Sequence, residues 1–264
     1  MPYRVDLPAS GDETLDRLIE LGALDVETSA DGAIAALMPD AVIPGQRTHA
    51  VGVDPIAISP AVARDAGSVW VLRPRPIQIG RVRIVPADMT PAPQSLRLID
   101  APAFGTGLHP TTALCLEILG DAVEREGPES ILDVGTGSGV LALAALTLGV
   151  PRAVGLDVDD EALHVAAENA RINGLTDRLQ LAHGGPETVT AMWPLVLANV
   201  LAAPLIEMAP SLARRVARQG RLVLSGIPRS VEPEVERAYR RVGMHRVHAA
   251  SRAGWVALVM QASW

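Results

Sequence analysis

Lysine is absent from all 264 residues, and every basic residue apart from histidine is arginine. That excludes a catalytic lysine and a phosphate-binding P-loop, which requires one. A single cysteine, Cys115, excludes an internal disulfide and is expected to pack on a helix face. Phenylalanine occurs once, at Phe104. No apolar run reaches bilayer-spanning length; Val140 to Val150 has the length of a buried helix, so no membrane contact is expected. The first residues, Met-Pro-Tyr-Arg-Val-Asp-Leu-Pro, lack the basic start and apolar stretch of a secretory signal, so a cytoplasmic location is expected. What is present is a chain with 48% hydrophobic residues, enough for a substantial core and for one large domain plus a small one.

The net charge of −7 is unevenly placed. Residues 1–40 hold nine acids (Asp6, Asp12, Glu13, Asp16, Glu20, Asp25, Glu27, Asp31, Asp40) against Arg4 and Arg17, a surplus equal to that of the whole chain. An acidic module repels phosphate backbones and attracts basic proteins. Direct nucleic-acid binding through this end is not expected; plain solvated surface acids are the alternative.

The most informative segment runs from Ile131 to Gly139, Ile-Leu-Asp-Val-Gly-Thr-Gly-Ser-Gly. An apolar strand enters three alternating glycines, then opens an Ala/Leu-rich helix. Glycine accepts positive φ and lets a backbone approach a ligand closely. In open parallel sheets ligands bind at the carboxyl ends of strands, beside helix N-termini. A dinucleotide fingerprint is G-x-G-x-x-G, whereas here the third glycine falls one place early, at Gly139. With Asp133 two residues ahead of Gly135, the motif resembles the first motif of class I methyltransferases, which bind S-adenosyl-L-methionine. That cofactor has an ammonium and no pyrophosphate, so a nearby carboxylate, Asp133, suits it. A second apolar strand ends at Asp157, about 20 residues on, where a carboxylate hydrogen-bonds ribose hydroxyls. Asp159, Asp160 and Glu161 then suit a helix start, and Asn173-Gly174 its stop.

Coarse periodicity predicts two regions. Near the N-terminus, a strand at Tyr3 to Leu7, an amphipathic helix at Asp12 to Leu21 and a hairpin of Ala23 to Thr28 with Ala33 to Met38 form a small α+β module. Ala61 to Asp65 suits a helical connector. Trp70 to Leu72 with Arg81 to Val85 suits a second hairpin, followed by a proline-rich crossing at Pro86 to Pro93. From Ser130, strands at Ile131 to Val134, Ala153 to Asp157, Leu179 to Ala182, Leu195 to Asn199 and Arg221 to Ser225 alternate with helices near 137–148, 161–172, 201–217 and 231–242. Alternation of this kind gives a parallel, doubly wound α/β sheet. Met244 to Ala250 and Trp255 to Gln261 close it as an antiparallel hairpin, so the expected fold is a Rossmann-like class I methyltransferase sheet with a C-terminal hairpin. The expected domains are 1–58 (acidic α+β, substrate recognition), a linker at 59–69, and 70–264 (S-adenosylmethionine-dependent methyltransferase).

A second motif narrows the resemblance. Phe104-Gly105-Thr106-Gly107-Leu108-His109-Pro110-Thr111-Thr112 is similar to the F-G-T-G-x-H-x-T-T loop of the ribosomal protein L-11 methyltransferases, the PrmA family. Trp70 to Pro76 with Gly80 and Pro86, Leu197 to Leu205, Leu224 to Ile227 and Gly254 to Val256 resemble further family segments. The resemblance implies methyl transfer from S-adenosylmethionine to lysine ε-amines, sometimes also the N-terminal α-amine, of a basic ribosomal protein held by the N-terminal module. Positions matching the family's cofactor contacts are Thr112, Gly135, Asp157 and Asn199. The absence of lysine has two readings: codon bias of a GC-rich genome, which is preferred, or avoidance of self-modification by a lysine-modifying enzyme.

From the residues themselves, Gly105 and Gly107 permit a tight loop, Thr106 offers a hydroxyl, and Phe104 would close over the cofactor and exclude water. Gly135, Gly137 and Gly139 form the turn. Thr112 is a helix cap, a cofactor contact, or both. His109 is expected to fix its loop by a hydrogen bond rather than act as a base. Asn199, at the end of the fourth strand, is expected to accept a hydrogen bond from the substrate amine and aim its lone pair; a strand-end cap is the alternative. Trp193, Trp255 and Trp264 are expected to pack. No metal is invoked; the sequence leaves the oligomeric state open and is compatible with a monomer. Val200-Leu201-Ala202 offers no ring for stacking on a flipped nucleobase. A methyltransferase for small amines or another protein lysine, and a non-catalytic S-adenosylmethionine-binding protein, are the remaining alternatives.

Overall fold

A computed structural model describes residues 3–10, 14, 17, 18, 23, 25–28, 33–38, 57–60, 76–90, 92, 95–99, 101, 109–252 and 254–264. The alternating N-terminal segment forms β1 (Tyr3–Leu7), β2 (Asp25–Thr28), β3 (Ile34–Met38) and β4 (Ala57–Pro60), an antiparallel sheet in the order β2-β3-β1-β4. The expected hairpin is there, with Val26 opposite Ala36. β4, paired with β1, was not legible in the Pro/Gly-rich stretch around it. Val5, Leu7, Val26, Ile34, Ala36 and Met38 bury a common face together with Leu18. Thr14, Arg17 and Leu18 are helical. The rest of the expected helix at Asp12 to Leu21, the connector at Ala61 to Asp65 and the strand at Trp70 to Leu72 lie outside the described residues.

The second hairpin lies later than expected: β5 (Ile77–Ile79) turns at Gly80-Arg81 into β6 (Val82–Pro86). Gly80, at φ +52°, supplies the positive φ that a two-residue hairpin turn needs. After the proline-rich crossing, β7 (Ser95–Leu98) joins β6 in parallel, a pairing that no local signal announced.

The large sheet contains β8 (Ser130–Val134), β9 (Arg152–Asp157), β10 (Leu179–His183), β11 (Trp193–Asn199), β12 (Val216–Pro228), β13 (Met244–Arg252) and β14 (Trp255–Ala262). Their order is β10-β9-β8-β11-β12-β14-β13, parallel except for the closing hairpin. The strand order therefore reverses between β8 and β11, the switch point where open α/β sheets bind ligands.

Helices α1 (Pro110–Glu126), α2 (Val140–Thr147), α3 (Asp160–Ile172), α4 (Ala202–Glu207), α5 (Ala209–Ala213) and α6 (Glu232–Arg241) surround this sheet. Every residue of α2 from Val140 to Leu146 is buried, the signature of a helix apolar all round. Each of its leucines contributes about 1.5–3 kcal/mol by leaving water. The expected helix at 201–217 is instead two short ones. Pro210, which lacks an N–H and crowds the carbonyl four residues back, stops α4 and sits in the first turn of α5. The chain has already become β12 by Val216, ahead of the expected start at Arg221. Gln219 at φ +59°, followed by Gly220, lies in the stretch where pairing to β11 shifts register.

Candidate active site

Parallel register aligns four positions at the carboxyl ends of adjacent strands. Val134 pairs with Leu156 and with Ala198, so Gly135 is level with Asp157 on one side and Asn199 on the other. Asn199 in turn pairs with Ser225. At a strand spacing of about 4.8 Å, Asp157 and Asn199 flank the glycine turn roughly 10 Å apart.

The turn is held from beneath and from the side. Gly135, Gly137 and Gly139 have φ of +71°, +55° and +80°. A Cβ on Gly135 would lie 2.2 Å from Val200 Cγ1, so glycine here permits the close approach of the chain that follows Asn199. The N–H groups of Gly135 and Thr136 both donate to Leu156 O, at 2.8 and 2.9 Å. Gly139 is the cap of α2, which explains why that helix begins at Val140 rather than 137.

Asp157 is half-buried. Its Oδ2 accepts from the Gly137 N–H at 2.8 Å and its Oδ1 from the Asp159 N–H at 3.1 Å. The carboxylate thus ties β9 to the turn. Each oxygen keeps a second lone pair for a hydroxyl donor.

Asp133 is wholly buried under the turn. Its Oδ2 accepts from Thr136 Oγ1 at 2.7 Å and from the Ala142 N–H at 3.2 Å, while its Oδ1 meets no partner. Burial pushes this carboxyl up to about 7, outweighing the two hydrogen bonds that pull it down; Asp157 nearby pushes the same way. An unfolded aspartate titrates near about 3.9. The folded protein therefore holds an extra proton between those values, and the resulting stability is lost as pH rises through about 7. Asp133→Asn, which keeps shape and cannot ionise, is expected to gain melting temperature relative to the unmodified protein between pH 5 and pH 8. Thermal melts across that range check it, and a pH-independent difference would refute the raised value.

Asn199 is half-buried, with its amide Nδ2 donating to Thr112 Oγ1 at 3.3 Å. Its Oδ1 is enclosed and has no hydrogen-bond partner among the described residues. The amide orientation follows from this network. Thr112 is fully buried in the first turn of α1 and is not the helix cap. That role belongs to His109, whose Nδ1 accepts from the Thr111 N–H at 3.3 Å and lies 2.8 Å from Thr111 Oγ1. Burial lowers His109 to about 4, so its imidazole is neutral at neutral pH, in keeping with the expected loop-fixing role. Ser225 Oγ donates to Thr111 O at 3.2 Å, joining the same turn of α1 to β12. Cys115 is buried on α1 as expected, its thiol pushed up to about 12 by burial.

Phe104, Gly105, Thr106 and Gly107 lie outside the described residues. The structure brings together Thr112, Asp133, the three glycines, Asp157 and Asn199. It also adds a residue that sequence reasoning missed. Asn169, buried on α3, donates to Ser138 O at 2.9 Å and accepts from the Ile99 N–H at 2.9 Å. Asn173, one turn on, exchanges two hydrogen bonds with the backbone of Arg97. These asparagines join the glycine turn to the strand that leads toward residue 104. The available signal was a pair of amides four apart in a helix otherwise rich in alanine and charge.

Known proteins resemble this chain in sequence and in fold. A family model described as ribosomal protein L11 methyltransferase (PrmA) matches residues 33–263. The ribosomal protein L11 methyltransferase of Geobacter sulfurreducens is 37% identical over 259 residues, covering 94% of this chain and 83% of that protein. Its counterpart in Xylella fastidiosa is 39% identical over 262 residues, covering 94% and 82%. Among solved structures, the ribosomal protein L11 methylase of Lactobacillus delbrueckii subsp. bulgaricus is similar with a TM-score of 0.63 at 29% identity, covering 70% of this chain and 97% of that one.

Proposed function

The chain belongs to the ribosomal protein L11 methyltransferase (PrmA) family, and from that premise we propose that it transfers methyl groups from S-adenosylmethionine to amino groups of ribosomal protein L11. Lysine ε-amines are the chief acceptors, with the N-terminal α-amine as a further one. The observation that carries this reading is Asn199 Oδ1, a buried acceptor without a partner beside the glycine turn. Such a group is costly unless a ligand donor meets it.

The residues present suit the cofactor. Asp157 is placed to accept from ribose hydroxyls, and the unpartnered Oδ1 of Asp133 to counter a methionine ammonium from below. Gly135, Gly137, Gly139 and Thr112 lie around the same strand ends. When bound, S-adenosylmethionine supplies a methyl group on a positively charged sulfur that leaves readily.

What remains for the protein is alignment and exclusion of water. A lysine amine is protonated in water, with a pKa of about 10.4, and must arrive neutral to attack. Desolvation and a neighbouring cation both favour the neutral form, so no strong base is required. Asn199 Oδ1 accepts one amine hydrogen, and Thr112, by holding Nδ2, fixes the direction of that bond.

The domain division belongs to the same proposal: an acidic module that holds the basic substrate protein, a linker, and the methyltransferase domain from about residue 70. The first boundary is drawn at Pro60 rather than 58, because β4 completes the N-terminal sheet. Of the nine acids only Asp6 has a described side chain, paired to Arg4 at 2.7 Å. No helix among the described residues is long and apolar enough to cross a membrane; the cytoplasm is the proposed location.

The test is the intact mass of the organism's own L11 after incubation with this enzyme and S-adenosylmethionine. Mass gains in whole methyl steps are expected. No gain, with cofactor binding demonstrated in the same preparation, would redirect the search to another protein lysine or a small amine.

A further inference from the structure

Trp255 has a feature that packing does not account for. It opens β14 opposite Pro228, at the carboxyl end of β12. The side chain is half-buried, and its indole Nε1 is enclosed with no hydrogen-bond partner among the described residues. A buried N–H without an acceptor is rare in folded proteins and unfavourable. It suits a donor whose acceptor arrives with a ligand, as interface tryptophans do.

Its position points to which ligand. The ring meets His109 edge-on, with centroids 5.2 Å apart at 68°. His109 caps α1, and Thr112, three residues later on the same face of the first turn, contacts Asn199. Trp255 and Asn199 therefore flank one turn of α1: they lie two strand spacings apart across β11, β12 and β14, and because Asn199 pairs with Ser225 and Trp255 with Pro228 they are also offset by three residues along β12, roughly 13 Å in all. One contributes an unmet donor and the other an unmet acceptor. An extended lysine side chain reaches roughly 6 Å from Cα to Nζ, its main-chain carbonyl lies about 2 Å further back, and a hydrogen bond of about 3 Å at each end brings the span to about 14 Å. An amine seated on Asn199 Oδ1 thus brings the carbonyl of its own peptide to the neighbourhood of Trp255.

We propose that the Trp255 indole N–H anchors the substrate polypeptide by donating to a main-chain carbonyl of the segment that carries the target amine. This rests on the reading of Asn199 as the amine acceptor. The anchor favours amines carried on a peptide over free alkylamines, because only the former offer a carbonyl at that reach. His109, neutral and held by Thr111, sets the plane of the indole and so the direction of its N–H.

Trp255→Phe keeps an aromatic ring against His109 and deletes the donor. In steady-state methylation of L11, KM for the protein is expected to rise about tenfold, with kcat at saturation and S-adenosylmethionine affinity unchanged. An unchanged KM would overturn the anchor. A role in packing alone would instead lower the melting temperature and weaken cofactor binding without singling out the protein substrate. The second readout needs no variant: the Trp255 indole proton resonance of the unmodified enzyme is expected to move downfield when L11 is added to its S-adenosylhomocysteine complex. A resonance that stays in place would overturn the anchor even if Trp255→Phe fails to fold. Failure of the unmodified enzyme to methylate L11 would be seen first, and would overturn the proposed function and the anchor with it.

Discussion

Asn199→Ala is expected to lower kcat for protein methylation by about 10²–10³-fold while leaving the dissociation constant of S-adenosylmethionine within a few-fold of normal. The magnitude is that of removing one preorganised hydrogen-bonding group from the reacting centre. Its direction follows from the geometry: Nδ2 is spent on Thr112 Oγ1 at 3.3 Å, and Oδ1 has no internal duty. Truncation therefore removes the contact proposed for the substrate amine and, within the fold, the bond to Thr112. Thr112→Val, which keeps the shape and deletes the hydroxyl, should lose less, about tenfold, because Asn199 remains but is no longer aimed. Stopped-time methylation assays beside calorimetric cofactor titrations separate the two quantities. Full activity in Asn199→Ala would reduce this residue to a strand-end cap.

The second large effect is expected at Gly226, which touches no ligand in this scheme. Its φ is +85°, and a Cβ built there would lie 2.1 Å from Val200 O and 2.7 Å from Val200 C. The obstruction is backbone, so no side-chain rotation relieves it. Gly226→Ala must both strain its own dihedral, by about 1–2 kcal/mol, and push back the residue that directly follows Asn199, adding about 1–3 kcal/mol. A fall in melting temperature of about 10 °C follows for a chain of this size. Turnover should fall about 10²-fold as Asn199 shifts, since misplacement of about 1 Å is enough for that. Gly127→Ala is the control. Gly127 also has positive φ, at +54°, but a Cβ there meets nothing within 4 Å, so only the dihedral cost should appear and kcat should hold. Equal losses in both variants would show that Val200 is free to yield and that Gly226 does not govern the site.

Both effects arise from one structural circumstance. Val200 is in close contact with both Gly135, in the turn after β8, and Gly226, within β12 where its pairing to β14 shifts register, two glycines 91 positions apart in the chain. A Cβ at Gly135 would displace the Val200 side chain, and one at Gly226 would displace the Val200 backbone itself. The segment carrying Asn199 is therefore located by steric exclusion, and the hydrogen bond from Thr112 then sets the amide's orientation.

Much of this protein was legible as local pattern. The glycine triplet after an apolar strand, the acid at Asp157, the helix stop at Asn173-Gly174 and the closing hairpin each depend on backbone preferences within a few residues, which a sequence displays directly. The alternation from Ser130 onward predicted the parallel sheet because strand and helix periods differ. Local pattern misled where a single residue overrode the period. Pro210 divided the helix expected at 201–217, and Gly80 moved the second hairpin to Ile77 and beyond.

What only the tertiary structure decided was which groups meet. Asp157, Gly135, Asn199 and Ser225 share one level because parallel pairing sets their register, and register between strands leaves no trace in any one segment. The bond from Asn199 to Thr112 spans 87 positions, and that from Asn169 to Ile99 spans 70. Sequence marked Asn199 as a strand-end amide and favoured the site role over a cap from topology alone; the burial of an Oδ1 without a partner among the described residues is a tertiary property that supports the site reading. Trp255 was taken for packing on the same grounds, since an indole carries a large apolar surface and one donor. Whether that donor is met is a property of its enclosure, formed by β12, β14 and the start of α1 together, and enclosure exists only once those distant segments have folded against one another.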